Sequence, residues 1–173
     1  MPASFRPPIA RDKMSKKTVS QSAKTNLAAD QSDVAKILAG RDFGIVTIGP
    51  DETLGRAVDV LREHGIGALV VVDGDDKLAG ILSERDIVRK LAETPGQTLP
   101  QRVREVMTAE VQTCTMDEPL VTVLRRMTAG RFRHMPVVVG ESAVGMVTIG
   151  DVVTYRLAEV EQESMQLKQL IVG

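Results

Sequence analysis

"GILSERD" at residues 80–86 and "GMVTIGD" at residues 145–151 repeat one phrase: a glycine, two aliphatics, a hydroxyl residue, two variable positions and an aspartate. An apolar run leading into Ser/Thr-x-x-Asp reads as a buried strand turning into a helix. The hydroxyl caps the helix and the carboxylate stands in its first turn. Outward from these corners the repetition continues. Residues 45–93 lie over residues 111–158 with a single one-residue gap in the "DGDDK" turn. Thr47 meets Thr113, Asp51 meets Asp117, Leu54 meets Leu120, Gly80 meets Gly145 and Asp86 meets Asp151. Two copies of one structural unit are therefore expected.

Each copy parses alike. "IVTI" is a β-rich run and "PDE" supplies turn and cap residues; Leu54, Ala57, Val58 and Leu61 then fall on one helical face that ends at His64–Gly65. "IGALVVV" is an apolar strand, "DGDD" signals a hairpin turn, and "LAGIL" pairs back before Ser83 opens a second helix. The order is β-α-β-β-α, twice. A three-stranded sheet with two helices on one face leaves an apolar surface that one copy cannot hide. The expected architecture is a mixed α/β (α+β) fold in which the repeats, 34–100 and 101–173, pack sheet to sheet about a pseudo-twofold axis.

Composition narrows the function classes. The chain has 173 residues, 43% of them apolar, enough for one good core or two small fused ones. No stretch approaches a membrane span or a secretory leader, and the single cysteine, Cys114, excludes an internal disulfide; a cytoplasmic protein is expected. A net charge of -1 gives no pull toward nucleic acid or membrane. Residues 1–33 carry six Lys and Arg in the first 29 positions against Asp12, and read as a disordered basic arm. Catalysis is not expected: one cysteine matched to core residue Ile48, and two histidines, His64 and His134, supply no nucleophile-base pair or metal cluster. No P-loop is present.

The duplicated unit, the "TIGPDETL" opening, "FRHMPVV" and the paired corners resemble a tandem of cystathionine β-synthase (CBS) domains, over about residues 34–165. The resemblance implies regulation: such pairs bind AMP, ADP, ATP, S-adenosylmethionine or NAD(H) in clefts between the copies and signal occupancy to a partner protein, with no metal required. It places ribose contacts on Asp86 and Asp151 and puts Ser83 and Thr148 near ribose or phosphate. The nucleotide-contact set it suggests is completed by Thr47, Gly67, Ala68 and Arg85 in the first copy. Thr113, Arg131, Arg133, His134, Met135 and Pro136 complete it in the second.

Physical chemistry agrees with that use of the corners. A helix N-terminus offers unpaired amides and partial positive charge to phosphate, and a first-turn carboxylate can accept both ribose hydroxyls. An isolated corner of this type needs no ligand, being complete as a capping box; Asp reaches back to the cap less well than Glu, which favours a carboxylate aimed outward. Arg131, Arg133 and His134 suit phosphate, whereas Gly65, Gly67 and Ala68 occupy the matching positions of the first copy. The trio could serve either cleft. The C-terminal run carries Val152, Tyr155, Val160, Met165, Leu167 and Leu170, apolar surface that suggests a homodimer and, as the alternative function, a ligand-free interaction scaffold.

Overall fold

The structure, a computed structural model, describes residues 32–40 and 44–172. Most of the basic arm lies outside the described residues, but Ser32 and Asp33, assigned to it above, belong to the fold. Asp33 caps helix α1 (Val34–Ala39) by accepting from the Lys36 amide at 3.2 Å. The first repeat follows as β1 (Thr47–Ile48), α2 (Leu54–His64), β2 (Ala68–Val72), β3 (Leu78–Ser83) and α3 (Glu84–Glu93). After a short 3-10 turn at Val103–Glu105 come α4 (Leu120–Gly130), β4 (His134–Val139), β5 (Ser142–Thr148) and α5 (Ile149–Val172).

Local chemistry sets these limits. Thr53 caps α2 through the Arg56 amide, and Gly65 ends it at φ 62°, a left-handed conformation that glycine adopts without Cβ strain. The buried face of α2 is Leu54, Ala57, Val60 and Leu61, so Val60 takes the inward place expected of Val58, which is 37% exposed.

The first sheet has the order β1-β2-β3, with β1 parallel to β2 and β3 antiparallel to it. The second copy departs from the expected three strands. It keeps the β4-β5 hairpin, but its counterpart of β1 shrinks to a single parallel bridge, Cys114 to Val137. Pro136 supplies the reason. In the first copy the Val70 amide reaches back to the Val46 carbonyl at 3.4 Å. Pro136 matches Val70 and has no N–H, so the ladder cannot extend past the two bonds at Cys114, 3.0 Å to the Pro136 carbonyl and 2.9 Å from the Val138 amide. Elsewhere the register repeats faithfully: Val71 opposes Gly80 as Val137 opposes Gly145, each beside a bulge.

Two cores result, and each takes in the segment that leads into the other copy. Val34 and Ile37 of α1 are buried with Cys114, Leu120, Met127, Met135 and Val152 of the second repeat. Val103, with Val106 and Met107 packed alongside, completes the core of Leu54, Leu69 and Leu82 in the first. This exchange explains the glycine that opens each corner phrase. A Cβ on Gly80 would lie 2.7 Å from the Met107 sulfur and 2.9 Å from the Thr108 carbonyl, where Ile81 and Thr108 bond each other's backbone at 3.0 and 2.9 Å. A Cβ on Gly145 would lie 3.0 Å from both Leu38 methyl groups of α1.

The C-terminal helix divides along its length. Val152 is fully buried and Tyr155 packs on the same core, so neither contributes to the free surface expected of them. Val153, Leu157, Val160, Met165, Leu167 and Leu170 are exposed.

The glycine contacts yield a stability prediction. Gly80→Ala must move backbone and should cost about 1–3 kcal/mol, the usual range for overpacking. Gly145→Ala meets only the ends of a leucine and should cost less than half as much. Urea unfolding of the two variants checks the order, and equal losses would remove the distinction between backbone and side-chain packing at these corners.

Candidate functional site

Both corners form as the sequence indicates, with one correction. Asp86 Oδ2 accepts the Ser83 amide at 3.0 Å and the Ser83 hydroxyl, while the Asp86 amide bonds Ser83 Oγ at 3.4 Å. Asp151 Oδ2 accepts the Thr148 amide at 2.7 Å, and the Asp151 amide bonds Thr148 Oγ1 at 3.1 Å. The carboxylates thus turn back into full capping boxes rather than outward, because the strand's last residue presents an N–H within reach of even the shorter aspartate side chain. The first helix amides are engaged across the copy as well: Glu84 N–H meets the Gly67 carbonyl and Ile149 N–H the Arg133 carbonyl, each at 3.0 Å.

The copies meet where β2 and β4 begin. A Cβ on Gly67 would lie 3.4 Å from His134 Nε2 and 3.4 Å from a Glu84 carboxylate oxygen. Arg85 crosses to the Arg131 carbonyl at 3.3 Å, and Lys77 pairs with Glu141 at 2.8 Å. Arg131 caps α4 at φ 56°, the place that Gly65 fills in the first copy. A side chain held there costs about 1–2 kcal/mol that glycine would avoid.

Beside this junction lies a cleft of about 1090 Å³. One wall is α1, through Ala35, Leu38 and Ala39; a second is Ile45 and Val46 leading into β1; the floor is Val144, Gly145 and Met146 of β5. His64 to Ala68 edge it from the first copy, and Met116, His134 and Thr148 from the second.

Four of the expected site residues, Gly67, Ala68, His134 and Thr148, line this cleft. The others do not. Asp151 stands behind Thr148, bonded to its amide. Arg131 and Arg133 are exposed and outside the lining, whereas His134 is in it, and Ser83, Arg85 and Asp86 belong to the pseudo-equivalent corner. Met135 is buried in the second core, Pro136 is buried between its core neighbours Met135 and Val137 on the strand, Thr47 is exposed, and Thr113 gives its carbonyl to Arg126 at 2.7 Å. Sequence reasoning missed the α1 wall. Its apolar spacing was available, but nothing local says that a segment preceding the first repeat packs on the second.

Burial holds the His134 pKa below its ordinary 6.5, against the upward pull of Asp151 and Glu84, and with the downward push of Arg133 and Arg85. The imidazole is neutral at pH 7. Burial pushes the Cys114 thiol up to about 12, leaving it an inert core group. Among the described residues no cluster of three or more His, Cys, Asp or Glu could hold a metal ion, and no helix is long and apolar enough to cross a membrane.

The His134 ring should therefore titrate by NMR with a midpoint below 6.5, and Glu84→Gln, which removes an upward pull, should lower it further. A depressed folded pKa also means that the unfolded chain takes the proton first, so this group's contribution to stability falls as pH drops from 6.5 toward the folded midpoint. A midpoint above 6.5 would mean that the carboxylates outweigh burial.

Comparison with known proteins agrees with this architecture. The CBS domain model matches residues 32–93 and 103–158. A mitochondrial CBS domain-containing protein of Arabidopsis thaliana, CBSX3, is 36% identical over 127 residues, which cover 71% of this chain and 62% of that protein. The chain therefore spans less than two thirds of that relative's length. A crystal structure of a CBS-domain containing protein from Agrobacterium tumefaciens superposes with a TM-score of 0.70 at 38% identity, covering 73% of this chain and 94% of the other. The CBS domain pair of protein MJ0100, solved in complex with 5'-methylthioadenosine and S-adenosyl-L-methionine, superposes with a TM-score of 0.66 at 29% identity, covering 74% and 98%. With both halves matched and the repeat preserved down to strand register, this chain belongs to the CBS-domain family as a tandem pair.

Proposed function

We propose that this protein is a regulatory module: an adenosine-containing ligand enters the cleft between the two repeats, and its occupancy is passed to a partner protein. The observation that carries the reading is the cleft itself, which is apolar along α1 and β5 and has His134, Thr148 and the glycine-rich edge of β2 converging at one end. Such a site suits a flat base in the apolar part and a sugar at the polar end. The MJ0100 pair, whose structure holds two adenosine compounds, supports the same class of ligand.

In this reading Asp151 reads the ribose. Its carboxylate already stands at the α5 N-terminus, where one turn of the cap would face a bound sugar, and Asp86 holds the equivalent place in the first copy. Ligands of the AMP, ADP, ATP and NAD(H) type also need a cation for phosphate, and the candidates are Arg131, Arg133 and Arg85, around the Ser83 corner. S-adenosylmethionine needs none.

A second reading rests on α5. Its exposed Leu157, Val160, Leu167 and Leu170 are the surface of a homodimer or an interaction scaffold that needs no ligand. Removing residues 160–173 should then shift sedimentation at micromolar concentration from dimer toward monomer.

Thermal-shift and calorimetric panels of adenosine ligands separate the readings. A true ligand at 100 times its dissociation constant stabilises by about 2.7 kcal/mol. Asp151→Asn, which keeps the size of the cap residue, should weaken the best ligand by on the order of 1.5–3 kcal/mol. The 2'-deoxy analogue should lose a similar amount on the unaltered protein. An absence of any shift across the panel would leave the scaffold reading.

A further inference from the structure

Past the repeats, α5 runs on by itself. The CBS domain model ends at residue 158, yet the helix continues to Val172, and every residue from Val160 to Ile171 is exposed. A helical stretch of that length has only marginal stability alone in water. Its apolar residues keep the heptad spacing of a coiled-coil seam. With Val153 at position d, the seam reads Val153, Leu157, Val160, Ser164, Leu167 and Ile171, in alternating steps of four and three, and all but Ser164 are apolar and exposed. Leu170 flanks this seam at a g position, and Met165 lies off it. The residues that fasten α5 to its own body are Val152, Tyr155 and Glu159, the last through Ser32. They stand roughly a third of a turn round the helix from the seam, so the seam faces away from its own core.

We infer that α5 joins two copies of this chain as a parallel two-stranded coiled coil along this seam. The inference rests on the α5 reading above and deepens it by fixing the occupant, its orientation and its register. Charge decides the orientation. Beside the seam, Glu161 and Lys168 hold e positions, and Arg156 and Glu163 hold g positions. In a parallel pair each g residue meets the following e residue of the other chain, so Glu163 faces the partner's Lys168 and Arg156 faces the partner's Glu161. Arg156 already holds Glu159 at 3.0 Å, so the Glu163 to Lys168 contact carries the argument. An antiparallel pair that keeps every seam residue in a layer would set Val160 on Ser164 and Leu157 on Leu167. It would also bring Glu161 against Glu161 and Glu163 against Glu163 across the twofold, like charges that the parallel pair keeps apart. The seam is shorter than three heptads and its Ser164 layer is polar, so the association depends on concentration.

Disulfide trapping and sedimentation of the full chain test this. The native Cys114 is buried and its thiol is pushed up to about 12, so an introduced thiol reports the seam alone. Under a mild oxidant Ser164→Cys should give a covalent dimer. A mixture of Ser164→Cys chains and tagged Val160→Cys chains should give the two like dimers and little of the mixed one. In sedimentation, Glu163→Lys, which sets a cation against the partner's Lys168, should weaken the dimer by about fivefold, and adding Lys168→Glu should restore it. These residues are exposed, so the fold is untouched by the exchange. A mixed disulfide that predominates, or a dimer indifferent to Glu163→Lys, would overturn the parallel register while leaving α5 as the dimer surface. A dimer that survives removal of residues 160–173 would place pairing on the repeats and overturn both, as would a chain that stays monomeric up to 100 micromolar.

Discussion

The two repeats approach each other at one contact on which the rest of the junction depends: Gly67 of the first copy against His134 of the second. A Cβ at 67 would stand in van der Waals contact, 3.4 Å, with both the imidazole and the Glu84 carboxylate, so a methyl group fits there and a longer side chain would enter the junction. The copies can close to this distance because one brings a glycine and the other an imidazole that burial keeps neutral. Duplication followed by divergence at these positions gives the junction an apolar side and a basic side.

Around that contact, the fold ties the cleft to both ends of the described chain. Helix α1 is too short to be stable alone, since its six residues fall well under the length an isolated helix needs. It persists because Val34 and Ile37 are buried in the second core and Leu38 rests on Gly145. Just before it, Ser32 is buried and its hydroxyl donates to Glu159 of α5, which Arg156 also holds at 3.0 Å. One wall of the cleft is thus a small helix fastened to the long C-terminal one.

What could be read from the sequence was what repeats or what lies within one turn. Ser83 with Asp86 and Thr148 with Asp151 are i, i+3 pairs, so the corners and their caps were legible, as was the core position of Cys114 from its match to Ile48. The missing strand ladder of the second copy was written in Pro136, though only comparison with the Val70 amide shows which bond it deletes. Longer-range matters were not legible. The packing of α1 on the second repeat and of Val103 on the first depends on where two connections run in space, and no periodicity encodes that. That Arg131 and Arg133 stay outside the lining of the cleft that His134 edges likewise depends on the paired strands and not on their spacing.

The most direct test of the account is to observe the ligand on the residues that the cleft brings together. Backbone amide spectra of the labelled protein, titrated with 5'-methylthioadenosine, should show the largest shifts at Ala39, Val46, Gly67, His134 and Thr148, which come from five separate segments of the chain and share only the cleft. Saturable shifts confined to those segments would place the ligand between the repeats. Shifts centred on the exposed end of α5 at Leu167 and Leu170, or none at millimolar ligand, would contradict the claim that this junction is a binding site.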